Sequence, residues 1–150
     1  MQSRLYYLFV KSAGFVLLIT ASAKLISAAG SAHILQTDDP LLGVSFRNLF
    51  WMIGVTEVAV ALICFFGNQL GLQAGLIAWL GTDFVIYRIG LLWIDFKKSC
   101  PCLGNLTDAL HITPQTADTA MKIILAYLLL GSYATLFWLW RQRKKTSQAP

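Results

Sequence analysis

The chain has 150 residues, 57% of them hydrophobic and only 13% charged, with a formal net charge of +5 and a mean hydropathy of +0.63. Soluble domains carry about 25% charged residues, so there is too little charge here to coat a water-facing globule. The basic residues form no stripe, which argues against nucleic acid as a partner and for the lipid bilayer as the solvent.

Four apolar runs are long enough to cross a bilayer, which takes about 20 helical residues. The first covers about 12–32 and follows Arg4 and Lys11. Arg4 and Lys11, the apolar stretch from Phe15 to Ile19 and then Ala21-Ser22-Ala23 also resemble a cleavable secretory signal. The apolar pattern continues through Leu25, Ile26, Ala28 and Ala29, however, which favours a retained span. The polar, turn-rich Asp38-Asp39-Pro40 then connects to a second run at 48–67. Asn68-Gln69 is a tight turn, so the third run, 70–94, is the antiparallel neighbour of the second. A longer connection over 95–118 ends near Thr113-Pro114, where threonine fits a helix cap and proline the first helical position. The fourth run is 119–140, followed by Arg141, Arg143, Lys144 and Lys145. Tyr6, Tyr7, Phe50, Trp51, Trp93, Phe137, Trp138 and Trp140 crowd the ends of the runs, where interfacial belts sit.

The expected fold is therefore all-α: a single transmembrane domain over 1–150, built as an integral membrane four-helix bundle. Arg4, Lys11, Arg141, Arg143, Lys144 and Lys145 fall at one face, and Arg47, Lys97, Lys98 and Lys122 at the other. This excess predicts both termini in the cytoplasm, hence a cell (inner) membrane protein with the 33–47 and 95–118 connections outside. In a Gram-negative host that side is the oxidising periplasm.

Away from the ends of the runs, four ionisable residues interrupt them: Lys24, Glu57, Asp83 and Arg88. Each costs about 2.5–3.5 kcal/mol in lipid on insertion scales, so such groups face the interior and pair. At about 1.5 Å per residue, Glu57 lies ~15 Å, Lys24 ~18 Å and Asp83 ~21 Å from the cytoplasmic ends of their helices. Depth permits a Lys24–Glu57 pair, with Asp83 able to join. Arg88 lies ~28 Å along and about 140° around the helix from Asp83, so it is expected to snorkel outward. These charges serve either to fix helix register or, at Glu57 or Asp83, to handle protons or a small polar ligand such as a quinone headgroup.

Three cysteines remain. Cys64, inside the second run, reads as a small inert hydrophobe. Cys100-Pro101-Cys102 differs, being paired, polar-flanked and outside the apolar runs. Disulfide geometry prefers Cα atoms about 4.4–6.8 Å apart, which cysteines two positions apart reach only through a small strained ring. Strain raises the reduction potential and makes such a bond an exchange partner. Pro101 holds φ near about −65°, and Lys97 and Lys98 favour the attacking thiolate. The dipole of the preceding helix end works the other way. A zinc site needs four ligands, and Asp108 and His111 are not spaced to complete one. A two-sulfur Cu(I) site and a purely structural bridge stay open. The sequon Asn105-Leu106-Thr107 matters only where asparagine is glycosylated.

Taken together, these residues resemble the small four-helix membrane proteins of the MauE and DoxX-like group, in particular the methylamine-utilisation members, over most of the chain from Lys11 to about Trp140. The resemblance rests on Ala21-Ser22-Ala23-Lys24-Leu25, on Glu57, on Tyr87-Arg88, and on Cys100-Pro101-Cys102-Leu103-Gly104. The last stretch is similar to the family's C-x-C-[FL]-G motif, with leucine at 103 and proline at 101 where the family more often has phenylalanine and glycine. The resemblance implies a role in maturing an exported redox protein, with an exported or thioredoxin-like partner. For DoxX-like members it implies a link to quinol oxidation. The expectation is thiol–disulfide exchange by Cys100 and Cys102. Two alternatives remain: a non-catalytic scaffold subunit and a quinone-linked oxidase subunit.

Overall fold

The computed structural model describes residues 2–30, 33–94 and 114–147. Among them the chain is helical: α1 (Gln2–Ala29), a 3-10 turn (His33–Gln36), α2 (Phe46–Phe66), α3 (Leu70–Trp93) and α4 (Pro114–Ser147). The described residues form no strand ladder, and Asp38 and Ser45 make an isolated bridge. Every one of the four long helices contains a segment long and apolar enough to cross a membrane: Arg4–Ala29, Phe46–Phe66, Leu70–Trp93 and Asp118–Lys145.

The helices do not stop where the apolar runs do. α1 begins at Gln2 rather than near Ser12, and it stops at Ala29, short of the expected position 32. α4 begins at Pro114, where proline's missing N–H costs nothing. Its 34 residues make about 51 Å of helix, against a hydrocarbon core of about 30 Å. Helical hydrogen bonding continues into the interfacial zones, so hydropathy marks the lipid and not the helix. α1 also runs unbroken through Ala21-Ser22-Ala23, the segment that resembles a cleavage site, with both alanines buried.

α1 packs antiparallel on α2, and α3 antiparallel on α4. Small residues make the first approach close: a Cβ placed on Gly54 would lie 2.8 Å from Leu25, and one on Gly14 would lie 2.9 Å from Cys64. The α2–α3 turn is held by Gln73, whose amide donates to the carbonyls of Ile63 (2.9 Å), Cys64 (3.4 Å) and Gly67 (2.8 Å). Ile63 and Cys64 lie in the last turn of α2 and Gly67 caps it, its own N–H donating to the Ile63 carbonyl (2.8 Å), so Gln73 reinforces the helix end. Across α1 and α4, Ser12 and Tyr127 share a 2.6 Å hydrogen bond, and Tyr6 stacks on Trp138. The main core joins Val10, Ala13, Leu17, Val60, Ala61, Cys64, Ile77 and Leu128. Phe15, Ile19, Met52, Ile86 and Leu130 point outward, a surface suited to lipid and not to water.

At the opposite end from the α2–α3 turn, residues 37–46 form a clasp. The Asp39 carboxylate accepts from the N–H groups of Leu41 (2.8 Å) and Leu42 (3.0 Å). Asp39 N–H donates to Val44, and Phe46 N–H to Thr37. Gly43 closes the turn at φ 64°, where a side chain would be strained. Tyr87 of α3 donates its hydroxyl to the other Asp39 oxygen, fastening the clasp to α3. Arg47 donates to the Gly30 carbonyl (3.1 Å), complementing the C-terminal end of α1.

Candidate functional site

The site is built around two buried charges. Lys24 Nζ lies 2.7 Å from Glu57 Oε1, with side chains 6% and 1% exposed. Thr20, one turn earlier on α1, donates to Glu57 Oε2 at 3.3 Å and to the Leu17 carbonyl at 3.0 Å. Thr20 and Lys24 are four apart, so they share a face of α1 and grip one carboxylate between them. On its other side the ammonium stands 5.2 Å from the centre of the Phe84 ring, a favourable cation–π placement. Three helices therefore converge on Lys24. The geometry fits the rule that a charge in lipid is paired and turned inward.

Above the pair, all four helices line one cavity of about 80 Å³. Thr20, Lys24 and Glu57 form its polar end. Phe46, Phe50 and Phe84 wall it, Met121 and Leu125 close it from α4, and Tyr87 and Arg88 stand at the end nearer the clasp. At about 10–15 Å³ per water-sized sphere, the space admits a handful of waters. Apolar walls with a few convergent polar groups are what small-molecule sites are made of.

Two expectations are corrected. Asp83 does not join the Lys24–Glu57 pair; its side chain is exposed on α3 and has no hydrogen-bond or ion-pair partner among the described residues. Phe84, the next residue, is the one that meets Lys24, and successive helical residues differ by about 100°. Equal depth put Asp83 level with the pair, but azimuth turned it away. Arg88 does not simply snorkel outward either. It pairs with Asp118 of α4, and Asp118 also binds Lys122 one turn later at 2.8 Å.

The sequence reading missed Asp118 because it lay one residue outside the expected fourth run. It also treated Asp39 as an ordinary turn residue, although Asp39 is 1% exposed. Tyr87, five positions before Leu92 in an otherwise apolar run, was the available signal for a buried acceptor nearby. Cys64 is buried and free, packed beside Gly14. Cys100, Cys102, Lys97, Lys98, Asp108 and His111 lie outside the described residues. Among the described residues, no group of three His, Cys, Asp or Glu side chains stands close enough to hold a metal.

No protein-family model, curated protein or solved structure matches the chain.

Proposed function

We propose that the protein is a multi-pass membrane component of thiol–disulfide exchange, acting through Cys100 and Cys102 to mature an exported redox protein. The reading takes the MauE and DoxX-like resemblance at its word and places the 95–113 connection on the outer, periplasmic side, with both termini cytoplasmic. The observation that carries it is the spacing and placement of the cysteine pair. Cys100 follows Ile94, the residue capping α3, by six positions.

The exchange balances as follows. One client thiolate attacks the Cys100–Cys102 disulfide and forms a mixed disulfide. The second client thiol displaces it. The client is then oxidised, and the pair holds two electrons and two protons as thiols. Lys97 and Lys98 favour the thiolate forms. Turnover requires an acceptor for those electrons.

A second reading, a quinone-linked subunit, is favoured by the cavity. Its three phenylalanines suit contact with a flat quinone ring, with Thr20 and Lys24 as hydrogen-bond donors to a carbonyl oxygen. A quinone held there would supply a two-electron, two-proton acceptor for the dithiol. The two readings then describe successive halves of one cycle. Replacing both cysteines by serine tests the first: client maturation is lost while the protein stays in the membrane. If the double variant still matures its client, the pair is structural and the protein is a scaffold. Reduction of a short-chain quinone by purified, dithiol-reduced protein tests the second. It fails if Phe84→Ala and Thr20→Val leave that rate unchanged.

A further inference from the structure

Asp83 sits thirteen residues into the 24-residue helix α3, about 20 Å from one end and about 15 Å from the other. That is within a few ångströms of the middle of the span. Its carboxylate is exposed on the surface that also presents Leu72, Trp79 and Ile86, in a segment otherwise suited to lipid. A carboxylate on a single methylene is too short to snorkel to either interface, unlike Lys or Arg. A lipid-facing charge at this depth is costly and marks function or a partner.

The chain itself does not supply that partner among its described residues. The two other basic residues deep in the helices are engaged: Lys24 with Glu57, and Arg88 with Asp118. Both are held on the inner side of the helices, as lining of the cavity. A second copy of this chain would bring the same engaged cations and the same carboxylate, so charge complementarity speaks against it. The surface around Asp83 is also shaped for a close neighbour. A Cβ on Gly75, two turns before Asp83, would meet nothing within 4 Å, and small residues let membrane helices approach closely. Beside it, Thr82 shares a 3.0 Å hydrogen bond with Tyr133 of α4, a residue 53% exposed.

We propose that the Asp83 face of α3 docks a transmembrane helix of a different protein, one that carries a lysine or arginine near the middle of its span. The ammonium or guanidinium pairs with Asp83, the helix lies along Gly75 and Trp79, and Tyr133 flanks it from α4. The cavity and the cysteine pair take no part, so this surface stands or falls independently of the exchange chemistry.

The test uses the full chain in phosphatidylcholine vesicles with synthetic leucine–alanine helices of one span. One helix carries a central lysine, one a central leucine, and one a lysine two turns off centre. Association is read by energy transfer from a donor on the protein to an acceptor on the peptide. The expected result is at least tenfold tighter association of the central-lysine helix than of the other two. That preference disappears in Asp83→Asn and survives in Asp83→Glu. Since the side chain is exposed, Asp83→Asn should keep the helical content and thermal midpoint of the parent, which serves as the folding control. Equal association of all three helices, or a lysine preference that persists in Asp83→Asn, overturns the proposal. So does self-association of the parent protein that Asp83→Asn abolishes, because the occupant is then a second copy.

Discussion

Removing Lys24 while keeping Glu57 should damage the fold more than removing both. In Lys24→Met the Glu57 carboxylate keeps only the Thr20 hydroxyl at 3.3 Å, inside a helix core where Glu57 is 1% exposed. A buried carboxylate stripped of its cation weakens the fold by about 3–5 kcal/mol, the range measured when one partner of a buried pair is removed.

Lys24→Met/Glu57→Met should return to within about 1 kcal/mol of the parent, since buried pairs are often replaceable by apolar residues of similar size. The assay is reversible unfolding in mixed micelles at neutral pH. A Lys24→Met variant within about 1 kcal/mol of the parent, or a double variant as damaged as the single one, would refute the argument.

Three further outcomes follow from the same geometry. Gln73→Leu strips three hydrogen bonds from the α2 C-terminus and should cost about 1–3 kcal/mol, with faster amide exchange confined to residues around the α2–α3 turn. Tyr87→Phe removes the hydroxyl that fastens Asp39 to α3; about 1–2 kcal/mol of local stability should be lost, seen as faster exchange at Leu41 and Leu42 with little change in global unfolding. Gly54→Val drives a side chain into Leu25 and should cost about 1–3 kcal/mol by overpacking, whereas Gly75→Ala, with open space around it, should leave the unfolding midpoint in place.

The four helices were legible because the bilayer's thickness imposes a length on any apolar run that crosses it, and each expected run lies within or nearly within a helix. The Lys24–Glu57 contact was legible for a related reason. Depth along a helix is a count of residues, and two opposite charges at one depth in lipid have strong cause to meet. Rotation was not legible. A membrane helix is apolar nearly all round, so the 3.6-residue pattern that orients a soluble helix carries little information about which face is buried. Asp39 and Asp118 were hidden by location, one in a polar turn and one at a helix start, where a carboxylate is ordinary until tertiary partners such as Tyr87 and Arg88 arrive.

Glu57 and Asp83 show what rotation decides. Both are carboxylates near the middle of apolar helices, and by depth alone they are interchangeable. Glu57 faces α1 and finds Lys24 within its own chain. Asp83 is one residue out of register with Phe84, which occupies the inward direction beside the same lysine. Had α3 been turned by about 100°, Asp83 would have joined the ion pair and left that site with an excess negative charge. The observed rotation keeps the interior neutral at one cation to one anion and moves the uncompensated charge to the perimeter. The rule that satisfied Glu57 from within therefore demands that Asp83 be satisfied from outside.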